Sequence, residues 1–245
     1  MIQGAIAIYK REMLILKRRF LRHAAGQAIS PLLYLVTFGY AMGSQIKFNG
    51  ISYLEFLVPG LVAMNSMTQA FSIATDINIA RFYWRIFDEF LSAPISNMAY
   101  VTGEVLAGMT RAILGIFIIL TLGLAFGVNP LGPWEFWAGI LLNSFLFASL
   151  AVALAMIVKN HADQALLNSF VITPMAFLSG TFFPVEKLPG WIHYILYLVP
   201  LTHAAKVIRA SLLGRPVNHL SLLYLLLAGT VCFWLALSSV EKARD

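Results

Sequence analysis

The chain is organised around residues 81–104, which read RFYWRIFDEFLSAPISNMAYVTGE. This stretch is charged and aromatic, whereas most of the chain is apolar. If residues 81–91 form a helix, the apolar side chains share one face and the charged side chains lie on the other. Ala93-Pro94 ends this helix, because a residue that precedes proline is pushed out of the helical region. The pattern therefore predicts a short amphipathic helix, spanning residues 81–92 at most, between two hydrophobic segments.

Two interpretations of this helix remain open. It is a solvated connection between two spans, or it is a docking element through which another protein moves them. In the docking interpretation, the apolar face fills a groove of the partner or seats on the bundle, and the charged residues set the orientation of the contact. The apolar residues are Phe82, Ile86, Phe87 and Phe90. The charged residues are Arg81, Arg85, Asp88 and Glu89.

The composition indicates an integral membrane protein. Of 245 residues, 60% are hydrophobic and 11% are charged, whereas a soluble domain carries roughly 25% charged residues. The single cysteine, Cys232, lies in an apolar run, so the sequence predicts neither a disulfide framework nor a metal site built from cysteine. The basic residues flank hydrophobic segments and form no separate basic domain, which argues against nucleic acid as a partner.

Six segments have the length of about 20 residues that a membrane-spanning helix needs. They are Ala24–Gly43, Leu57–Ala80, Gly103–Gly127, Phe136–Val158, Ala165–Phe183 and Leu220–Val240. Before them, residues 1–22 predict an amphipathic helix that lies in the headgroup layer, with basic residues around an apolar stripe. The stripe consists of Ile2, Ile6, Tyr9, Met13, Leu16 and Phe20. All of these elements are helical, so the predicted fold class is an all-α polytopic membrane protein.

An even number of spans places both termini on the same side of the membrane, and the basic residues indicate which side. Eleven lie on the side of the termini: Lys10, Arg11, Lys17, Arg18, Arg19, Arg22, Arg81, Arg85, Lys159, Lys242 and Arg244. Five lie on the other side: Lys47, Lys187, Lys206, Arg209 and Arg215. The positive-inside rule therefore predicts that both termini and residues 81–104 are cytoplasmic.

Polar residues form a stripe along the second predicted span. Asn65, Gln69, Ser72 and Asp76 recur at helical spacing, and such a stripe is costly against lipid. It faces other helices or a hydrated path, and both interpretations remain open. The residues predicted to line the path or its gate are Asn65, Met67, Gln69, Phe71, Ser72, Asp76, Asn168, Met175 and Phe177, with core packing as the alternative for each. The ionisable residues Asp76, Glu104, Arg111 and Asp163 lie near cytoplasmic ends, where pairing or snorkelling lowers their cost.

Prolines divide the region of residues 184–213 into pieces. Trp191–Val199 is apolar, but as a helix it is only about 13 Å long, too short to cross a bilayer. It therefore predicts a re-entrant or interfacial half-helix, followed by Leu201–Leu213 as a second helix at the outer surface. The residues that mark this region are Phe183, Pro184, Pro189, Trp191 and Pro200.

Three groups of residues, in order along the chain, carry a resemblance to a known family. They are the run of residues 52–60, SYLEFLVPG; the run 91–96, LSAPIS, followed by Gly103-Glu104; and the block with Phe183-Pro184-Val185, Leu188-Pro189, Trp191, Pro200-Leu201-Thr202 and Arg209. In these groups the chain resembles the membrane subunit of ABC exporters of the type-2 permease family, whose members include multidrug, lipo-oligosaccharide and polysaccharide exporters.

The resemblance implies a role for each predicted element. It implies that Arg81–Leu91 is a coupling helix for a separate ATP-binding subunit and that residues 1–22 are a connecting helix. It implies that a second copy, identical or a paralogue, completes the exporter, and that the second and fifth spans line the path. It further implies a bacterial or archaeal plasma (inner) membrane and an amphipathic, lipid-linked or drug-like substrate.

The sequence contains no G-x-x-x-x-G-K-[ST] phosphate loop. ATP and magnesium are therefore expected in the partner subunit, and no cofactor, metal or catalytic residue is expected in this chain. Two rival functions have less support in the sequence. A secondary transporter driven by an ion gradient needs ionisable groups near the midplane, and only Asp76 and Arg111 come close. An intramembrane enzyme needs a cluster of histidines or acids, whereas His161, His193, His203 and His219 are scattered at the ends of spans.

Overall fold

The computed structural model describes residues 2–42, 47–48, 50–87, 89, 93–129, 131–158, 160–185 and 189–243. The first half contains α1 (Ile2–Arg18), α2 (Phe20–Met42), strands β1 (Lys47–Phe48) and β2 (Ile51–Ser52), α3 (Tyr53–Phe71), α4 (Ile73–Phe82) and α5 (Asn97–Ala125). The second half contains α6 (Trp134–Ile157), α7 (His161–Leu167), a π-helical turn (Asn168–Ile172), α8 (Thr173–Leu178), α9 (Gly190–Leu198), α10 (Pro200–Leu212) and α11 (His219–Lys242). The all-α fold class is confirmed, apart from the antiparallel pair β1–β2.

Four helical segments among the described residues are long and apolar enough to cross a membrane, with α3 and α4 counted as one segment. They are α3 with α4 (Tyr53–Phe82), α5, α6 and α11. They correspond to the second, third, fourth and sixth predicted spans, with ends that differ by a few residues. The pair α9 and α10, bent by 92°, passes the same test only when taken together. The two predicted helices of the 184–213 region are therefore present, whereas α2 and α7–α8 are not among the four.

The core is built around α3, which packs against α5, α6 and α10, while α6 also packs along α11. Leu57, Leu61 and Met67 of α3 are fully buried in this core. A buried polar bond joins α3 to α6, because Asn143 Nδ2 donates to Ser66 Oγ at 2.6 Å. An unpaired amide would be costly at this depth, so the bond specifies how the two helices pack.

The fifth predicted span ends earlier than expected. Ala165–Phe183 was predicted as one helix, but α8 ends at Leu178 and a turn follows. Gly180 in that turn has a φ of 81°, and a Cβ on it would lie 2.7 Å from Cγ2 of Val185. Glycine is the residue that adopts this backbone conformation without strain, so the helix stops here.

The N-terminal helix lies against α5, and its buried face differs from the predicted stripe. Ile8, Glu12 and Leu16 are the buried residues of α1. Ile2 and Ile6 of the stripe are 75% and 46% exposed. The stripe was predicted to lie in the headgroup layer, and that stays a prediction. Glu12 lies on the inward face because it pairs with Arg111 of α5, a contact that its place in the sequence does not reveal.

We expect Gly103→Val in α5 to destabilise the protein. A Cβ at Gly103 would lie 2.8 Å from Cβ of Ile8 in α1, and overpacking of this kind costs about 1–3 kcal/mol. Thermal denaturation in detergent, followed by loss of the monodisperse peak in size-exclusion chromatography, measures the effect. The matched control is Gly26→Val in α2, where a Cβ meets nothing within 4 Å. Equal melting temperatures for both variants would contradict the close packing of α1 on α5.

Candidate coupling and translocation site

The predicted coupling helix is broken near its beginning. The helix α4 ends at Phe82, and Tyr83 caps it. Residues 83–85 are non-helical, and helix resumes at Ile86. Arg85 has a φ of 53°, which is rare for residues other than glycine. The prediction of one helix over residues 81–91 was therefore wrong, and Arg81 and Phe82 instead belong to the long second span.

Arg81 is an internal anchor of the bundle. Its Nη1 donates to the carbonyl oxygen of Ala155 at 2.7 Å and to that of Met156 at 2.9 Å. These carbonyls lie at the end of α6, where the last turn of a helix lacks intrahelical donors and attracts cations. Its guanidinium carbon also lies 5.3 Å from the ring centre of Phe87. Arg81 thus ties the end of the second span to the end of the fourth.

The aromatic residues of this stretch divide into a buried one and three exposed ones. Phe87 is buried and makes an edge-to-face contact with Tyr100, with ring centres 5.7 Å apart. Phe82, Tyr83 and Trp84 are 43%, 83% and 46% exposed. We call these three the aromatic tip. It projects from the end of a continuous 30-residue span.

The remaining predicted coupling residues are only partly covered by the structure. Ile86 is half-buried, whereas Arg85 and Glu89 are exposed. Asp88 and Phe90 lie outside the described residues. Of the four apolar residues assigned to the docking face, Phe87 seats on the bundle and Phe82 is open to contact. Tyr83 and Trp84 were given no docking role from the sequence, although both are exposed.

A cluster of charges joins three helices beside this region. Arg111 of α5 is 2% exposed, and its Nη2 donates to Oε2 of Glu12 in α1 at 2.9 Å. Its Nη1 pairs with Oδ2 of Asp76 in α4. Arg11 also pairs with Glu12, and Tyr9 of α1 shares a hydrogen bond with Thr110. For Asp76 and Arg111 the sequence predicted pairing or snorkelling, and the two side chains pair with each other. Glu12 is the partner that the sequence did not reveal.

The environment of this charge cluster is poorly solvated. Burial raises the pKa of the Glu12 carboxyl above its ordinary value, and the positive charges of Arg111 and Arg11 oppose that shift. Glu104, about two helical turns before Arg111 on α5, is 2% exposed. Its Oε2 has no hydrogen-bond partner among the described residues. Removing Arg111 therefore leaves the Glu12 carboxylate, 4% exposed, in a place where water cannot compensate for the lost charge.

Near the middle of the second span, the polar stripe faces other helices of the same chain. A Cβ on Gly115 of α5 would lie 2.7 Å from Asn65 Nδ2 and 3.0 Å from Gln27 Oε1 of α2. Asn65 is thus buried between α2 and α5, while Gln69 and Ser72 are half-buried. Asp76 keeps 41% of its side chain exposed. The accessible part of the stripe lies from Gln69 to Asp76.

The other predicted path residues occupy two environments. Met67 and Phe71 are fully enclosed in the core, with exposures of 0% and 2%. Asn168 and Met175 are half-buried, and Phe177 is exposed. Asn168 begins the π-helical turn, where its carbonyl accepts a hydrogen bond from Thr173 Oγ1 at 3.0 Å. Such turns occur often at functional sites.

An aromatic cluster that the sequence did not predict closes the opposite end of the bundle. Phe182 lies at its centre, 5.1 Å from the ring of Phe177, 5.0 Å from Tyr34 and 5.7 Å from Phe38. Tyr53 donates its hydroxyl proton to the carbonyl of Phe182 at 2.8 Å. The cluster therefore joins α2, α3 and the turn after α8, the segments that sequence analysis treated as the first, second and fifth spans.

The proline-rich region after α8 is fastened to the start of α3. Arg209 of α10 donates from Nη2 to the carbonyl of Gly180 at 2.8 Å and from Nε to that of Phe56 at 3.2 Å. Its guanidinium carbon lies 3.8 Å from the ring centre of Phe56. Among the predicted markers, Pro189 and Trp191 are exposed, whereas Phe183, Pro184 and Pro200 are half-buried.

Comparison with known proteins places this architecture in a family. The family model described as "ABC-2 type transporter" matches residues 3–213. Nodulation protein J of Rhizobium meliloti (strain 1021) is 33% identical over 89% of this chain and 84% of that protein. Nodulation protein J of Neorhizobium galegae is 30% identical over 95% of this chain and 88% of that protein. Inner membrane transport permease YadH of Escherichia coli (strain K12) is 27% identical over 85% of this chain and 82% of that protein. The chain therefore belongs to the ABC-2 type transporter family, as the multi-pass membrane subunit, or permease, of an ABC transporter.

Proposed function

We propose that the chain is the membrane-spanning half of an ATP-driven exporter and that the aromatic tip docks into the ATP-binding subunit. The observation that carries this proposal is the exposure of Phe82, Tyr83 and Trp84 at the end of a span whose remaining length is largely buried. Exposed aromatic residues in a small patch are typical of interface anchors. ATP and magnesium are held by the partner, and this chain contributes no cofactor.

The bonds of Arg81 and Arg111 near the aromatic tip support a mechanical role for the tip. The bonds from Arg81 to the end of α6 and from Arg111 to Glu12 and Asp76 connect α1, α4, α5 and α6 at one end of the bundle. A displacement of the tip by the ATP-binding subunit is therefore passed to several helices together, since packed interiors transmit strain. Conversion of ATP hydrolysis into helix movement requires a connection of this kind.

The proposed topology has six spans with both termini in the cytoplasm. The helix α2 serves as the first span, α7–α8 as the fifth, and the pair α9–α10 as an external re-entrant element. The excess of basic residues on the side of the aromatic tip supports this orientation. The relative from Escherichia coli whose name places it in the inner membrane supports that location for this chain. Exposed Ile2 and Ile6 on α1 suit contact with the headgroup layer.

A second permease copy, identical or a paralogue, completes the proposed transporter. The segment α7–α8 is mainly exposed along its length, and Phe170 and Leu166 are 75% and 54% exposed. Among the described elements, this segment packs chiefly on α4. The second copy covers this face, and the path runs beside the accessible stripe from Gln69 to Asp76. An amphipathic, lipid-linked or drug-like substrate suits a path bounded by polar residues on one side and apolar residues on the other.

The proposal is tested in inside-out vesicles that contain this permease and its ATP-binding subunit. The probes are a lipophilic fluorescent dye and a radiolabelled lipid-linked oligosaccharide. We expect uptake of at least one probe to require ATP and to continue in the presence of an uncoupler. Uptake that persists without ATP and disappears with the uncoupler would contradict the proposal and favour a secondary transporter.

A further inference from the structure

A cavity of about 430 Å³ opens at the end of the bundle that is remote from the aromatic tip. It lies between the start of α3, the helix α10 and the start of α11. Its lining includes three basic side chains, Lys206, Arg209 and Arg215, and two aromatic ones, Phe56 and Tyr197. No aspartate or glutamate is among the described residues that line it. The cavity has the volume of a small-molecule site.

Hydrogen bonds that involve none of the three basic side chains connect the helices around the cavity. His203 Nε2 donates to the carbonyl of Tyr197 at 2.9 Å, and its Nδ1 lies 3.2 Å from Ser221 Oγ. Tyr224 donates to the carbonyl of Leu198 at 2.7 Å. The hydrogen bonds to the carbonyls of Tyr197 and Leu198 satisfy acceptors at the end of α9, and they connect α9 to α10 and α11 around the cavity. A site formed before its ligand arrives avoids the entropic cost of ordering those groups.

Two of the cations are placed where a ligand can reach them. The ammonium of Lys206 lies 4.3 Å from the ring centre of Tyr197, which positions it through a cation–π contact. Gly214 has a φ of 63°, and the following amide of Arg215 donates to the carbonyl of Ala210 at 2.8 Å. This turn ends α10 and brings Arg215 back to the cavity. Neither Lys206 nor Arg215 forms an ion pair within the described part of the chain.

Like charges that line one cavity repel one another, and an anion relieves that repulsion. Guanidinium and ammonium groups together favour phosphate, which accepts several charge-assisted hydrogen bonds. The cavity is larger than a free phosphate ion, and its aromatic walls suit an attached sugar or glycerol. We propose that this cavity binds a phosphate ester, which comes either from a phospholipid headgroup or from a phosphorylated sugar.

The proposal does not depend on which face of the membrane the cavity opens to, so it is tested on the purified full-length chain in neutral detergent. The probes are glucose 1-phosphate and dihexanoyl phosphatidylglycerol, with glucose as the uncharged control. Binding is measured by isothermal titration calorimetry at low ionic strength, since exposed charges are screened by salt. We expect at least one phosphate probe to bind and glucose not to bind.

Variants assign the binding to the cavity. Lys206→Gln with Arg215→Gln is expected to weaken binding at least about tenfold, because each lost charge removes a charge-assisted hydrogen bond. Lys206→Arg with Arg215→Lys keeps both charges and should retain most of the affinity. Lys242→Gln removes an exposed charge at the other end of the bundle and should leave binding unchanged.

Each outcome of the titration has one meaning. Binding of glucose 1-phosphate that only the Lys206 and Arg215 glutamine variant loses supports the site and indicates a phosphorylated sugar. Binding of the lipid alone, with the same dependence, supports the site and indicates a headgroup. If neither phosphate probe binds, or if both glutamine variants bind equally well, the proposal is overturned.

Discussion

Replacing Arg111 with methionine is expected to destabilise the protein more than any other single substitution at this end of the bundle. Arg111 is 2% exposed and holds Glu12 and Asp76 on two different helices. Removing it leaves Glu12, which is 4% exposed, as a buried carboxylate that has lost its partner on α5. Breaking a buried ion pair in this way costs about 3–5 kcal/mol. Thermal denaturation in detergent measures the loss.

Two further variants separate the loss of pairing from a general loss of an arginine. Arg22→Met removes an exposed arginine on α2 and is expected to change the melting temperature little. Adding Glu12→Gln and Asp76→Asn to Arg111→Met removes the stranded charges and should recover much of the stability. If Arg111→Met and Arg22→Met melt at the same temperature, Arg111 does not fasten these helices.

The second large effect is expected at the aromatic tip. Tyr83→Ser with Trp84→Ser should release the ATP-binding subunit while the permease itself remains inserted and folded. Both side chains are exposed, so their loss removes interface area without opening the core. Aromatic anchors of an interface contribute about 2 kcal/mol or more each, which corresponds to at least about thirtyfold in affinity. Co-purification of the ATP-binding subunit with the tagged permease measures the release.

The chain offers a matched control for the aromatic tip. Trp191 and Tyr194 of α9 are also an exposed tryptophan and tyrosine, 67% and 79% exposed, in the region after α8. Trp191→Ser with Tyr194→Ser should leave co-purification intact. Retention of the ATP-binding subunit by the Tyr83 and Trp84 variant, at the level of this control, would exclude the aromatic tip as the docking element.

Elements that depend on local pattern could be predicted from the sequence. Four spans were predicted correctly within a few residues, because an apolar run of about 20 residues has few alternatives to a spanning helix. Prolines at 189 and 200 likewise predicted the starts of α9 and α10, since proline is tolerated in the first turn of a helix and not in its interior. Pairing or snorkelling was predicted for Asp76, and Asp76 pairs with Arg111.

Features that depend on distant contacts could not be predicted. Glu12 and Arg111 are 99 positions apart, so nothing in the charged face of α1 marks Glu12 as a buried residue. The break after Phe82 depends on a left-handed Arg85, a conformation for which a glycine would have been the usual signal. The cluster around Phe182 brings together aromatic residues from three segments, and no periodicity in one segment indicates such a meeting.

The most direct test of the account is a site-specific crosslink from the aromatic tip. A photoreactive phenylalanine analogue is placed at position 84, or at position 191 as the control, in cells that contain the ATP-binding subunit. The account predicts a crosslink to that subunit from position 84 and none from position 191. A crosslink from position 191 in the absence of one from position 84 would contradict the proposed docking of the aromatic tip on the ATP-binding subunit.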